Sequence, residues 1–313
     1  MMSYLARSSA ALLLAGAVFA QSPSTTTSYT TDINGNRVPA ISVTTVGNNR
    51  VERTQTLNGR TVPLEQIEEK LVRDDASGKV VERTVRRFDS SGNPLPIDRI
   101  TISEEKRADG SIVTDTTIKR GDPNGNLVLS ERTHAETRRN GGSSVSDIVV
   151  ERASINGSLE LEERQSINAI EQGATTQQTS TVLRRDANGN FFEARREAKE
   201  VTKTGLQTTE NVAVYEPGPD GRMSLARQEA RTTVKSPDGS ERTQVNVFDS
   251  VAGRVGEAAA TPQLREQVTV ERKVTGDGVV EVTKVRQTDP NHPNRLGESR
   301  VISEAVCKGK CPN

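Results

Sequence analysis

The sequence predicts an all-β protein: a long antiparallel meander of repeated hairpins, forming an extended twisted sheet that is largely single-layer or shallowly curved. Three observations carry that reading. Glycines recur with a sixteen-residue step, the stretches between them alternate their side chains with period two, and the joints carry Asn-Gly, Asp-Gly or Asp-x-x-Gly signals. Such joints suit hairpins because glycine accepts a left-handed backbone.

Residues 1–20 read as a signal peptide. Arg7 supplies a positive start, Ala10 to Phe19 is an unbroken apolar or small run, and Val18-Phe19-Ala20 ends on the small residue a signal peptidase needs. A bilayer span takes about twenty apolar residues, so a run half that length is too short for an anchor. The chain is expected to be exported, to begin at Gln21 when mature, and to reside in the periplasm, at the cell surface or outside the cell. No cysteine stands near the cleavage point, so a lipid anchor is not indicated.

Residues 21–306 are read as one repetitive sheet domain. Gly141, Gly157, Gly173, Gly189, Gly205 and Gly221 mark the sixteen-residue step, and every second glycine gives a sharper unit of 32: Gly92, Gly125, Gly157, Gly189, Gly221 and Gly253. Two positions after each of these stands an apolar residue or proline (Pro94, Leu127, Leu159, Phe191, Met223, Val255). Seven positions after stands arginine four times (Arg99, Arg132, Arg164, Arg196), then Gln228 and Ala260. Between the turns, Leu264 to Val274 alternates strictly: Leu264, Glu266, Val268, Val270, Arg272 and Val274 against Arg265, Gln267, Thr269, Glu271 and Lys273. Glu210 to Glu216 likewise sets Val212 and Val214 against Ala213 and Tyr215. Eleven or twelve residues per strand predict about sixteen strands, each roughly 35 to 40 Å long. Leu64, Ile67 and Leu71 have helical spacing, but turn glycines bracket them at the same rhythm, so Leu64 to Arg73 is read as strand too.

Even the drier faces are half polar, so a thick sandwich core is not expected. Cross-strand Glu-Arg pairing would replace part of the missing burial, as the recurrent Glu52-Arg53, Glu82-Arg83, Glu131-Arg132, Glu151-Arg152, Glu163-Arg164, Glu241-Arg242 and Glu271-Arg272 suggest.

Four turns place oxygen-bearing side chains at alternate positions: Asp32-Ile-Asn34-Gly35-Asn36, Asp89-Ser-Ser91-Gly92-Asn93, Asp122-Pro-Asn124-Gly125-Asn126 and Asp186-Ala-Asn188-Gly189-Asn190. Calcium takes six to eight oxygen ligands, and these loops have one carboxylate each and no distant bidentate Glu. They are read as capped turns, with Asp32, Asp89, Asp122 and Asp186 bonding the backbone, and no metal or cofactor is expected. Three turns preceded by an aromatic residue resemble those of YD (Rhs-type) repeats: Phe88-Asp89 with Gly92-Asn93, Tyr215-Glu216 with Asp220-Gly221, and Phe248-Asp249 with Gly253-Arg254. The resemblance covers a few residues per turn and implies hairpins.

Residues 307–313 form a tail bracketed by Cys307 and Cys311, the only two cysteines. In an exported protein they are expected to form a small-ring disulfide, with Gly309 permitting the turn. No catalytic residue stands out. His134 lies in a predicted strand and His292 in the Asp289-Pro-Asn-His-Pro loop, and nothing sets either beside a particular serine and carboxylate. With 42 basic and 42 acidic residues there is no electrostatic case for nucleic acid, and a membrane partner is not expected.

These features describe an exported, non-enzymatic structural or interaction protein with an unknown protein or cell-envelope partner, or with self-association through its edge strands. An outer-membrane β-barrel is the alternative, since about sixteen antiparallel strands after a leader is a familiar count. The missing aromatic girdles, with no Trp, three Tyr and five Phe in the chain, speak against it. A carbohydrate-active or carbohydrate-binding protein is a third reading, and it too lacks aromatic platforms.

Overall fold

The structure, a computed structural model, describes residues 21–31, 37–47, 49–57, 59–122, 124–218, 220–250, 262–276, 278–289 and 292–308. The leader and residues 309–313 lie outside the described residues. Nineteen strands follow in chain order: β1 (Gln21–Thr31), β2 (Arg37–Val46), β3 (Arg50–Leu57), β4 (Arg60–Asp75), β5 (Gly78–Arg87), β6 (Asp98–Lys106), β7 (Ile112–Gly121), β8 (Leu127–Asn140), β9 (Ser143–Ala153), β10 (Leu159–Gln172), β11 (Thr175–Arg185), β12 (Phe191–Thr204), β13 (Gln207–Pro217), β14 (Met223–Lys235), β15 (Glu241–Asp249), β16 (Gln263–Thr275), β17 (Gly278–Asp289), β18 (His292–Leu296) and β19 (Arg300–Lys308). The count exceeds the expected sixteen because β2, β3 and β4 begin less than sixteen residues apart and the short β18 is added. The Leu64 to Arg73 stretch is strand, within β4. Its Ile67 and Leu71 are four apart, a spacing that puts two side chains on one face of a helix and also of a strand.

All pairings are antiparallel and join neighbours along the chain from β1 to β17, and β17 then pairs with β19. The sixteen-residue glycine step resolves into two turn types at opposite ends of the strands. At one end, β8–β9, β10–β11 and β12–β13 are joined by two residues. The leading glycines Gly141, Gly173 and Gly205 have φ of 56°, 61° and 58°, as a type II′ turn requires. At the other end the joint is longer. The Gly125, Gly157, Gly189 and Gly221 amides donate to the carbonyls of Asp122, Ser154, Asp186 and Gly218 at 2.9–3.0 Å, with φ between 75° and 89°. That is a type I turn closed by a left-handed glycine. The 32-residue unit is therefore one hairpin.

A bulge recurs with the same period. Ser130, Glu162, Ala194 and Ala226, each five residues after a turn glycine, are extra residues where the register shifts on β8, β10, β12 and β14. Bulges increase local twist and bend the strand. One corrects a detail of the alternation: Arg265 is the extra residue on β16, so Val247 faces Glu266 while Phe248 faces Leu264. Leu264 thus leaves the face that Glu266, Val268 and Val270 share. In one unit the two signature positions meet. The Arg164 guanidinium, at a seventh position, lies 4.9 Å from the ring centroid of Phe191, at the second position of the next unit, while Arg132 and Arg196 pair with Glu151 and Glu193.

The two terminal strands also pair. Besides β2, β1 pairs with β19 through five residue pairs from Ser24↔Cys307 to Ser28↔Ser303, so the two ends of the sheet meet. Pairing the ends satisfies backbone groups that an edge would leave free. Close strand packing is confined to sheet neighbours, apart from β18 on β16 and a marginal approach of β8 to β10. The sheet is one layer deep, and no described side chain is fully buried.

Candidate interaction surface

Register assigns each side chain to one of two faces. Seven of the least exposed apolar side chains, Val81, Val85, Ile148, Val182, Val214, Val247 and Val285, share one of them, here the valine face. They sit on odd-numbered strands and are covered in two ways: Val182 lies between Gln165 and Arg195 and Val214 between Glu197 and Arg227, whereas Val81 lies between Leu71 and Ile102. Long polar stems shield Val182 and Val214 from water without a second layer.

The same face carries ion pairs between neighbouring strands: Arg53–Glu65 at 2.9 Å, Arg83–Glu69 at 2.6 Å, Arg87–Asp98 at 2.7 Å, Arg152–Glu131 at 3.1 Å, Arg184–Glu163 at 3.0 Å and Lys199–Glu210 at 2.8 Å. Adjacent Glu-Arg residues point to opposite faces, so the pairs form across strands. Where two such dipeptides meet antiparallel, each face gains one pair: Glu131 faces Arg152 while Arg132 faces Glu151. Glu241-Arg242 and Glu271-Arg272 are in the same reciprocal register. A hollow on the valine face, lined by Thr133, Ile148, Val150, Gln165, Val182 and Arg184 among others, runs from β8 to β13.

The other face is polar at mid-strand. Gln177, Glu200, Asn211, Ala230, Asn246 and Gln267 follow one another in register from β11 to β16, and Thr175, Thr202, Thr209 and Thr232 form a parallel row. The Gln267 side-chain amide donates to Asn246 Oδ1 at 2.9 Å. Lys284 bonds Glu271 at 2.8 Å and holds its carboxyl below the usual glutamate value. Asn211 and Thr179 are exposed on this face, while Gln178 on the opposite face keeps part of its surface open to water.

The turn carboxylates are engaged as backbone caps. Asp89 Oδ1 accepts from the Ser91 and Asn93 amides at 2.8 and 2.9 Å, and Asp122 Oδ1 from the Asn124 and Asn126 amides at 2.9 and 2.8 Å. Their second oxygens accept from the side-chain amides of Asn93 and Asn126. Asp186 Oδ1 accepts from the Asn188 and Asn190 amides, both at 2.8 Å. The bonds from Asn93 and from Asn126 hold Asp89 and Asp122 below the ordinary aspartate pKa, and bonds from Ser77 and Ser111 do the same to Asp75 and Asp109. Asp32 lies outside the described residues.

Both histidines have carboxylate partners that spacing did not show. His134 Nδ1 is 2.8 Å from Asp115 Oδ1 across β7 and β8, and His292 Nδ1 is 3.2 Å from Asp289 Oδ2. Opposite His134 on the other side is Val149, so no hydroxyl faces that ring in the register. The His134–Asp115 pair could be found only by knowing the register. Cys307, on β19, takes part in a disulfide, and Cys311 lies outside the described residues. No protein-family model and no curated protein matches the sequence.

Proposed function

We propose that this chain is an exported, non-enzymatic structural or interaction protein that works through the extended surface of its sheet, in the periplasm, at the cell surface or outside the cell. The observation that carries this reading is the single repetitive layer with polar side chains on both faces. A site that shifts pKa values strongly is usually a concavity that removes water from a few convergent groups. Here the ionic groups lie in rows between neighbouring strands, which suits contacts spread over many residues.

The meeting of β1 with β19 favours a second reading, a β-barrel embedded in an outer membrane. A barrel of that kind turns an apolar band to the lipid. In this sheet the amide and hydroxyl rows occupy the middle of one face and ion pairs run across the other. Cell fractionation without detergent separates the two readings. The proposal expects a soluble pool of the mature chain in the periplasm or medium, and a chain released from membranes only by detergent would refute it.

A further inference from the structure

Most arginines of this sheet sit beside a carboxylate, and among those that do not, two share a face with a lysine on consecutive strands. Arg86 on β5, Arg99 on β6 and Lys119 on β7 are exposed and make no ion pair among the described residues. Register places all three on the polar face. Arg99 is directly opposite Lys119, and Arg86 is diagonal to Arg99, two residues beyond the Thr84 that faces it. On the far side Lys119 faces Leu129, with Arg132 diagonal to it beyond the facing pair Thr117↔Arg132. Like charges directly opposite in a sheet repel and destabilise the pairing. Elsewhere the chain solves this by facing Glu with Arg, as at Glu131↔Arg152. Of the nearest carboxylates on this face, Glu68 stands in the row of Arg99 with Thr84 between them and approaches Arg50 at 3.8 Å, and Glu82 is diagonal to Arg99.

We propose that Arg86, Arg99 and Lys119 form a docking patch for phosphate or sulfate groups carried on a polyanionic polymer. The patch rests on the reading of the sheet as an interaction surface and names the chemistry of one partner. Unpaired guanidinium and ammonium groups on adjacent strands, whose backbones lie about 5 Å apart, offer donors to an anion, and the anion removes the repulsion between Arg99 and Lys119. A chain of such anions lying across β5 to β7 meets a cation on each strand.

The test uses labelled linear polyphosphate titrated into the full mature chain and followed by fluorescence anisotropy. Saturable binding is expected at low salt. With about three charges neutralised, log K falls against log salt with a slope of roughly −2 to −3, by analogy with single-stranded and duplex polyanions. Arg86→Gln/Arg99→Gln/Lys119→Gln should weaken binding at least tenfold while keeping or raising the urea midpoint, because the like-charge contact is gone. Lys106→Gln/Arg139→Gln/Lys273→Gln removes the same charge from scattered positions and should change binding less than twofold. Equal losses in both triple variants, or no binding by the wild type, would overturn the patch and leave the reading of an exported interaction protein standing. Phosphatidylglycerol vesicles form the second arm: vesicle binding that the first triple variant loses and that polyphosphate does not displace would overturn the assignment to a soluble polymer.

Discussion

Replacing Gly78 by alanine should cost several times what the same change costs at Gly173, although both glycines lie at hairpin joints. At Gly173, with φ of 61°, an added Cβ meets nothing within 4 Å. The cost there is the left-handed backbone, about 1–2 kcal/mol for a residue with a side chain. It is offset by about 0.4–1 kcal/mol of entropy lost from the unfolded chain. A net of roughly 1 kcal/mol follows from those two figures. At Gly78, with φ of 152°, the new methyl would stand 2.0 Å from the Glu104 carbonyl oxygen and 2.9 Å from its carbon. Both are backbone atoms of β6, paired with β5 at this point through Gly78↔Glu105, so relief requires the two strands to part. Overpacking against an immobile neighbour costs about 1–3 kcal/mol, which added to the backbone term gives about 3 kcal/mol. Urea unfolding followed by far-ultraviolet circular dichroism reads the difference as a lower midpoint for Gly78→Ala than for Gly173→Ala at matched slope. Equal midpoints would refute the close approach of β5 and β6 and with it the register on which the faces were assigned.

Acid should loosen the turns before it loosens the strands. The folded pKa values of Asp75, Asp89, Asp109 and Asp122 are depressed, so their contribution is complete above the unfolded aspartate pKa and is lost as pH falls through the lower folded value. Asp89→Asn/Asp122→Asn should therefore differ from wild type in urea midpoint at neutral pH and converge with it in acid, whereas a difference constant with pH would contradict the capping role. Deleting Gln263–Asn313 removes both β16 and the β19 partner of β1, leaving two unpaired edges. Light scattering should then show self-association that the full chain lacks, and a monodisperse truncated chain would count against the pairing of the two ends.

Much of this architecture is legible in the sequence because turns and strands are local. Gly141, Gly173 and Gly205 stand where a left-handed residue is required, and the alternation of Glu210 to Glu216 survives unchanged in β13. What the sequence withheld depends on register. The partner of Arg152 is Glu131 because the two-residue turn at Gly141 starts an unbroken β8–β9 ladder, while bulges at Ser130 and Glu162 set how β7 meets β8 and β9 meets β10. A one-residue slip would reverse every face. The departure of Leu264 from its alternating set, the His134–Asp115 contact and the pairing of β1 with β19 all arise from such long-range alignments. The Arg86, Arg99 and Lys119 group was hidden for the same reason, since its members lie 13 and 20 residues apart in the chain and converge only through two ladders.

The central claim is that one layer of sheet presents both of its faces to water, and thiol labelling of adjacent positions tests it most directly. Gln178 and Thr179 are consecutive in β11 and point to opposite faces, Gln178 into the hollow on the valine face and Thr179 to the polar face. In separate Gln178→Cys and Thr179→Cys variants, with the disulfide at Cys307 left oxidised, a small maleimide should label both native proteins at rates within about tenfold of each other, the spread that partial side-chain shielding allows. Protection of either position by several orders of magnitude, relieved only by unfolding, would mean that a second layer or a lipid phase covers that face, and would contradict the account.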